Sequence, residues 1–247
     1  MKLSLKYINT IHAIKTSALK IATTFDYKLN SKITLDYIDN IDGRLNSSIL
    51  EKQFLNELKL DLETNYDFPI QVIISKDRSP EDIIINNIKI NLKLTKSSSP
   101  DNAVNKHAIF YSITGISKLL NGSNWNDFLK LLKQAKQQDQ IKTTRNKETE
   151  YHYLVIHKIH RNVLLKSIFD IHTYLSSSNN ELQINWRKEF KNSTYECQDN
   201  LLDYNNKIKQ LLSTIQHSIL KNIEKNHTFA TDDLSFLNIQ QLDNSTT

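Results

Sequence analysis

The chain has 247 residues, a formal net charge of +5 and one cysteine, Cys197. A single cysteine excludes a disulfide framework within the chain and a cysteine-rich zinc site, and the basic balance permits a polyanionic partner without requiring one. The three glycines form neither of the Gly-rich loops that cradle nucleotide phosphates, so ATP-driven motor or helicase activity is not expected.

The first half of the chain alternates predicted helices with short β-branched runs. Apolar residues at helical spacing predict helices over 3–24 and 47–62, separated by a polar passage that extends to Gly43. A Val/Ile run behind Pro69 predicts a strand over 67–74. Residues 82–95 predict a hairpin, and its two strands together with the preceding one are expected to form a three-stranded core.

Two helices are predicted after Pro100. The first is expected to run from an Asp101 N-cap to Leu120, where Asn121-Gly122 would end it. The second has an apolar face that begins at Trp125.

The remaining third of the chain combines a charged passage with strands and a long helix. Residues 137–150 are charged and almost devoid of apolar side chains, so we expect a loop that packing does not hold. Strand-like runs then follow at 151–158 and 163–168. A short helix is expected within 169–174 and a long one over 198–225.

This order of elements indicates a mixed α+β fold. We expect a single domain over 1–247, with helical segments at 1–65 and 195–225 and a flexible tail over 226–247. The sequence contains no recognisable signal peptide, and no apolar stretch approaches the ~18 residues of a spanning helix. A cytoplasmic protein without a membrane partner is therefore expected.

The predicted hairpin gathers polar side chains on one face. If Asn86-Asn87 is a two-residue turn, Asp82 lies opposite Asn91, and Lys93 shares the face of Asn91. An acid, an amide oxygen and an amine at one place predict a site for a divalent metal and a hydrolytic water. The alternative is a solvated edge strand, in which Lys89 and Lys93 only prevent aggregation.

Pro80-Glu81-Asp82 and Asn91-Leu92-Lys93 resemble the two halves of the PD-(D/E)xK nuclease motif. The segments 94–106 and 180–186 are similar to segments of several type II restriction endonucleases, so the resemblance covers about 80–186. It implies a restriction-endonuclease-like core, in which helices flank a mixed central β-sheet. It also implies Mg²⁺-dependent hydrolysis of both strands of double-stranded DNA at a short recognition sequence.

The resemblance also implies roles for individual residues. Asp82 and Asn91 would be the metal ligands, and Lys93 would act on the attacking water and on the developing phosphate charge. A glutamate from an earlier helix often contributes in this family; Glu51 stands at that place, with Glu57 as the alternative. Asn91 replaces the usual second acid, as it does in some members, and the lost charge should weaken metal binding.

Basic and amide side chains near the resembling segments are the expected DNA contacts, because lysines hold phosphates and amides read adenine edges. They are Lys89, Lys96, Asn102, Lys106, Gln183, Asn185, Arg187 and Lys188. The resemblance further implies a homodimer, whose two-fold symmetry matches palindromic DNA, and a cognate DNA methyltransferase. The alternatives are a repair or recombination nuclease with the same core, and a non-catalytic DNA-binding protein.

Overall fold

The computed structural model describes residues 3–27, 43–76, 79–96, 100–118, 125–177, 182–197 and 200–226. The polar passage before Gly43 and the tail predicted to be flexible after Asn226 lie outside them. Within these ranges no helix is long and apolar enough to cross a membrane. Contacts group the chain into two compact units, a first of residues 2–96 and 152–166 and a second of 97–151 and 167–247. The expected single domain stays a prediction.

The fold is mixed α+β, as the order of elements predicted. The helices are α1 (Leu5–Thr24), α2 (Gly43–Thr64), α3 (Lys106–Thr114), α4 (Trp125–Gln137), α5 (Trp186–Lys191) and α6 (Leu201–Asn226). The strands are β1 (Val72–Ile74), β2 (Ile83–Ile85), β3 (Ile88–Thr95), β4 (Asp101–Val104), β5 (His152–His157), β6 (Val163–Ser167), β7 (Tyr174–Ser176) and β8 (Leu182–Ile184). They form a five-stranded sheet ordered β1-β2-β3-β5-β6 and a three-stranded sheet ordered β4-β8-β7.

The predicted hairpin is present with the predicted turn. Asn86 and Asn87 have φ values of 47° and 70°, in the left-handed region that two-residue hairpin turns require and that Asn tolerates. The register pairs Ile83 with Ile90 and Ile84 with Lys89, as the turn predicted. The expected three-stranded core is larger, because β5 adds to the free side of β3 as a parallel neighbour.

The core of the first unit lies between its two helices and one face of the five-stranded sheet. Ile14 of α1 and Phe54 and Leu58 of α2 are fully buried, together with Ile90 and Leu92 of β3. Each such side chain contributes about 1.5–3 kcal/mol of hydrophobic stabilisation. Because alternate residues of β3 are committed to this core, Lys89, Asn91 and Lys93 are confined to the opposite face.

The prediction of one helix from Asp101 to Leu120 was wrong. Residues Asp101–Val104 form β4, which pairs antiparallel with β8 about eighty residues later in the chain. Helix α3 begins after Asn105, whose side-chain oxygen accepts from Ala108 N–H, and it ends at Gly115, with φ of 77°. Asp101 therefore belongs to a strand that pairs with the distant β8 and does not cap a helix. The helix ends at Gly115, before the Asn121-Gly122 pair where its end was expected.

Two further predictions in the second unit were wrong. The charged passage 137–150 is held by packing: Arg145 is only 2% exposed, and residues Lys147–Thr149 form a 3₁₀ turn. Residues 169–174 contain no α-helix, since a 3₁₀ turn at Ile168–Asp170 leads into β7. The predicted strands at 151–158 and 163–168 are confirmed as β5 and β6.

Candidate functional site

Asp82 is fixed against β3 at the point where β2 begins. Its backbone N–H donates to the Ile90 carbonyl at 3.0 Å, and its Oδ2 accepts from the Leu92 N–H at 2.7 Å. Asp82 lies just beyond the last register pair, Ile83 with Ile90, so its predicted opposition to Asn91 stays a prediction. Strand β2 begins only after Asp82. The amides of β3 beyond Ile90 on this edge therefore have no strand partner and can donate to carboxylates.

Glu51 reaches the same edge from helix α2. Hydrogen bonding to the backbone of Leu94, two residues beyond Leu92, lowers the pKa of its carboxyl. Strand geometry puts these two amide donors about 7 Å apart, so Glu51 and Asp82 occupy adjacent places on one edge. Glu57 is exposed, and its charge acts on Tyr27 instead, so the structure brings the first of the two candidate glutamates to the hairpin.

The electrostatics of the site follow from burial and from one lysine. Burial raises the pKa of Glu51, the charge of Lys93 lowers it, and the charge of Asp82 raises it again. Burial also raises the pKa of Asp82, against the hydrogen bond from Leu92 and the charge of Lys93. Lys93 is therefore the nearby cation for both acids, and within the described ranges its ammonium makes no ion pair.

Asn91 carries an unsatisfied oxygen. The residue is 9% exposed, and its Oδ1 has no hydrogen-bond partner among the described residues. A buried acceptor of this kind costs about 1–3 kcal/mol unless something binds it. Together with the carboxylates of Asp82 and Glu51, this amide oxygen would make a set of hard oxygen donors, which is the chemistry Mg²⁺ prefers.

Asp82 and Glu51 are the two acids of the predicted ligand set, and the charge of Glu81 also raises the pKa of Asp82. In the described part of the chain, no three His, Cys, Asp or Glu side chains converge as a metal-binding group. Asn91 adds an amide oxygen that has no hydrogen-bond partner among the described residues. The residues Asp82, Glu51 and Asn91 together fit a Mg²⁺ ion that keeps several waters.

A cleft of about 650 Å³ opens beside the two acids. Its walls are formed by α2 and by the segments around β1 and β2, and the polar and charged residues that line it are Ser48, Glu51, Lys52, Asn56, Ser75, Lys76, Ser79, Glu81 and Asp82. Glu81 forms an ion pair with Lys89 at 3.6 Å. Lys89, which was predicted to contact DNA, therefore also offsets the charge of an acid in the cleft.

Lys158 is a residue of this neighbourhood that the sequence pattern did not indicate. Its charge acts on Glu51, and its backbone N–H donates to the Thr95 carbonyl at the end of β3 at 2.9 Å. The missing information was the parallel pairing of β3 with β5, which brings residues some sixty positions apart to one end of the sheet. A regular alternation within one strand cannot reveal such a partner.

The other predicted DNA contacts are divided between the units. Lys96 is exposed at the end of β3, and the rest belong to the second unit. There Asn102 pairs in register with Gln183, so the two segments that carried the resemblance are neighbouring strands. The Lys106 ammonium lies 4.5 Å from the centre of the Trp125 ring.

Three of these contacts lie around the start of α5. The side-chain oxygen of Asn185 caps this helix by accepting from the Lys188 N–H, so that oxygen is not available to read a base. Arg187 and Lys188 are exposed on the helix and can reach a phosphate.

Comparisons with known proteins identify no relative. A scan against protein-family models gives no match, and searches of curated proteins and of solved structures give no significant match. The function is therefore inferred from the side-chain geometry of this chain.

Proposed function

We propose that the protein is a type II restriction endonuclease, which hydrolyses both strands of double-stranded DNA at a short specific sequence with Mg²⁺. The observation that supports this most strongly is that Asp82 and Glu51 line one cleft and have Lys93 as a shared nearby cation; the unpartnered Oδ1 of Asn91 adds to it. The mixed sheet beneath α1 and α2 is consistent with a restriction-endonuclease-like core.

Asp82, Asn91 and Glu51 would hold the metal through oxygen atoms. When bound, Mg²⁺ neutralises phosphate charge and lowers the pKa of a coordinated water. Asp82 and Glu51 are kept in place by the backbone amides of β3, so neither has to reorganise when a cation arrives. The pKa of each is raised by burial, which makes the deprotonated pair costly without a cation and therefore favours cation binding.

Lys93 would stabilise the charge that develops on the phosphate and position the attacking water. Its place on the face of Asn91 puts the ammonium beside the acids, where the partly buried setting makes a fixed positive charge more effective than in water. The predicted homodimer and cognate methyltransferase remain parts of this proposal: two-fold symmetry would match a palindromic site, and methylation would protect the host DNA from cleavage.

The test is incubation of the purified protein with plasmid or phage DNA, with Mg²⁺ and with EDTA. Discrete fragments that require Mg²⁺ are expected, and an Asp82→Ala preparation purified in parallel excludes a contaminating nuclease. A Mg²⁺-dependent smear would instead favour a repair or recombination nuclease with this site. Intact DNA across many substrates would contradict the proposal and favour the non-catalytic DNA-binding protein.

A further inference from the structure

We propose that Lys158 is a second cation of this site, which binds a phosphate oxygen of the DNA strand that is cut. The inference rests on the proposed nuclease function and adds a substrate-binding residue to it. It is carried by the position of Lys158 at the paired ends of β3 and β5, by the effect of its charge on Glu51, and by an ammonium that makes no ion pair within the described ranges.

The backbone fixes where Lys158 can act. The residue directly follows β5, whose last residue, His157, pairs in parallel register with Thr95. The Lys158 N–H donates to the Thr95 carbonyl at 2.9 Å, so the start of its side chain is held at the end of β3. Two parallel strands therefore deliver Lys93 and Lys158 to the same end of the sheet.

The charges of both lysines act on Glu51. Lys93 and Lys158 each lower the pKa of Glu51. Burial lowers the pKa of Lys158 and the charge of Lys96 lowers it further, so Glu51 compensates the Lys158 charge only in part. Within the described ranges the Lys158 ammonium makes no ion pair, which leaves a partly desolvated cation in need of an anion.

A phosphate is the anion that completes this arrangement. Without a metal, Glu51 offsets part of the Lys158 charge, and Lys93 acts on both Glu51 and Asp82. A divalent cation at the acids would leave the site with a surplus of positive charge, and a phosphodiester oxygen of the proposed substrate would offset it. An ammonium forms charge-assisted hydrogen bonds with such an oxygen as a compact donor.

The experiment compares Lys158→Gln and Lys158→Arg with wild type and with Lys15→Gln. Lys15 is exposed on α1 and provides the same change in charge at a surface position. The probe is a fluorescein-labelled DNA duplex, with Ca²⁺ in place of Mg²⁺, whose binding is followed by anisotropy across a salt series. Lys158→Gln should reduce the slope of log K against log salt by about 1, because one phosphate contact is lost. Lys158→Arg and Lys15→Gln should keep the wild-type slope.

A second readout needs no DNA. Mn²⁺ binding to the protein alone, followed by electron paramagnetic resonance, should be several-fold tighter in Lys158→Gln, because a repelling cation near Glu51 is removed. A purely structural role would instead weaken both Mn²⁺ and DNA binding and lower the melting temperature. An unchanged salt slope in a folded Lys158→Gln variant would overturn the inference.

The two proposals fail in different ways. Wild-type protein that cuts DNA, with a Lys158→Gln variant of unchanged slope, would support the nuclease and overturn the role of Lys158. Wild-type protein that never cuts DNA, yet loses about one unit of slope in Lys158→Gln, would support Lys158 as a phosphate contact and overturn the nuclease.

Discussion

The backbone N–H of Leu92 donates to Oδ2 of Asp82 at 2.7 Å, which ties the first acid of the site to the strand that carries Asn91 and Lys93. The bond uses the main chain, so the position of Asp82 does not depend on which side chain residue 92 carries. Glu51 uses the backbone of Leu94 in the same way. The edge of one strand therefore sets the spacing of the two acids.

Replacing Lys93 by Ala should abolish most DNA cleavage while leaving DNA binding nearly intact. The ammonium is expected to act on charge that develops only as the phosphate reacts, and loss of one such donor costs about 10²–10³-fold in rate. Single-turnover cleavage with Mg²⁺ and DNA binding with Ca²⁺ separate the two effects. Lys59→Ala is the control, since Lys59 forms an exposed ion pair with Glu63 on the helix that carries Glu51. Cleavage by Lys93→Ala at the wild-type rate would end the assignment.

Neutralising either acid should stabilise the metal-free protein at pH 7. Burial raises the folded-state pKa of Glu51 and Asp82 above their unfolded values, so the folded protein binds more protons. The free energy of unfolding then falls as pH rises through the interval between the unfolded and folded pKa values. Glu51→Gln and Asp82→Asn remove this loss and should raise the melting temperature in EDTA.

The pH dependence distinguishes this effect from a general gain in packing. Below the unfolded-state pKa, wild type and variants carry neutral groups in both states, so the stabilisation should vanish there. Thermal melts in EDTA at several pH values check it. A gain that is equal at all pH values would contradict the electrostatic cause.

Asn91→Asp should strengthen Mg²⁺ binding and lower the stability of the metal-free protein. The substitution places a third carboxylate beside Asp82 and Glu51, where like charges repel without a cation and a hard cation gains a ligand. The melting temperature should fall in EDTA and rise more steeply with Mg²⁺ than in wild type. Asn91→Ala is the matched control, because it removes the orphaned oxygen and should bind Mg²⁺ more weakly than wild type.

Arg145→Met should destabilise the second unit by about 3–5 kcal/mol, because it leaves two buried acids without their cation. Arg145 Nε lies 2.9 Å from Glu150 Oε1, and Arg145 Nη2 lies 2.8 Å from Asp170 Oδ1. Urea denaturation measures the loss. Lys147→Met is the control: Lys147 pairs with Glu196, whose side chain is 64% exposed, and its loss should cost less than about 1 kcal/mol. Equal costs would contradict the role of burial.

Stability should also rise with pH in the alkaline range through Lys142. Burial lowers the pKa of Lys142 to about 8, although its ammonium donates to the carbonyls of Ser112 and Thr149 at 3.0 Å. An unfolded lysine titrates near ~10.4, so between these values the unfolded chain binds more protons and unfolding becomes harder as pH rises. Urea denaturation between pH 7.5 and 10 should show this slope in wild type and a smaller one in Lys142→Met.

Local patterns were sufficient for the hairpin and for the candidate site on it. The Asn86-Asn87 turn and the register of β2 with β3 follow from short-range rules. Those rules failed where a distant partner decided the structure. Asp101 was predicted to cap a helix, but its segment pairs with β8. The charged passage around Arg145 was predicted to be unpacked, because its acidic partner Asp170 lies 25 residues later in the chain.

The sequence by itself determined the alternation of β3, the two-residue turn, and the placement of Asn91 and Lys93 on one face of that strand. These depend on backbone geometry within a few residues. Only the tertiary structure decided that Glu51 rather than Glu57 meets the acid of the hairpin, and that β5 brings Lys158 to the end of β3. The physical reason is that helix packing and parallel strand pairing join residues far apart in the chain, and no local periodicity records them.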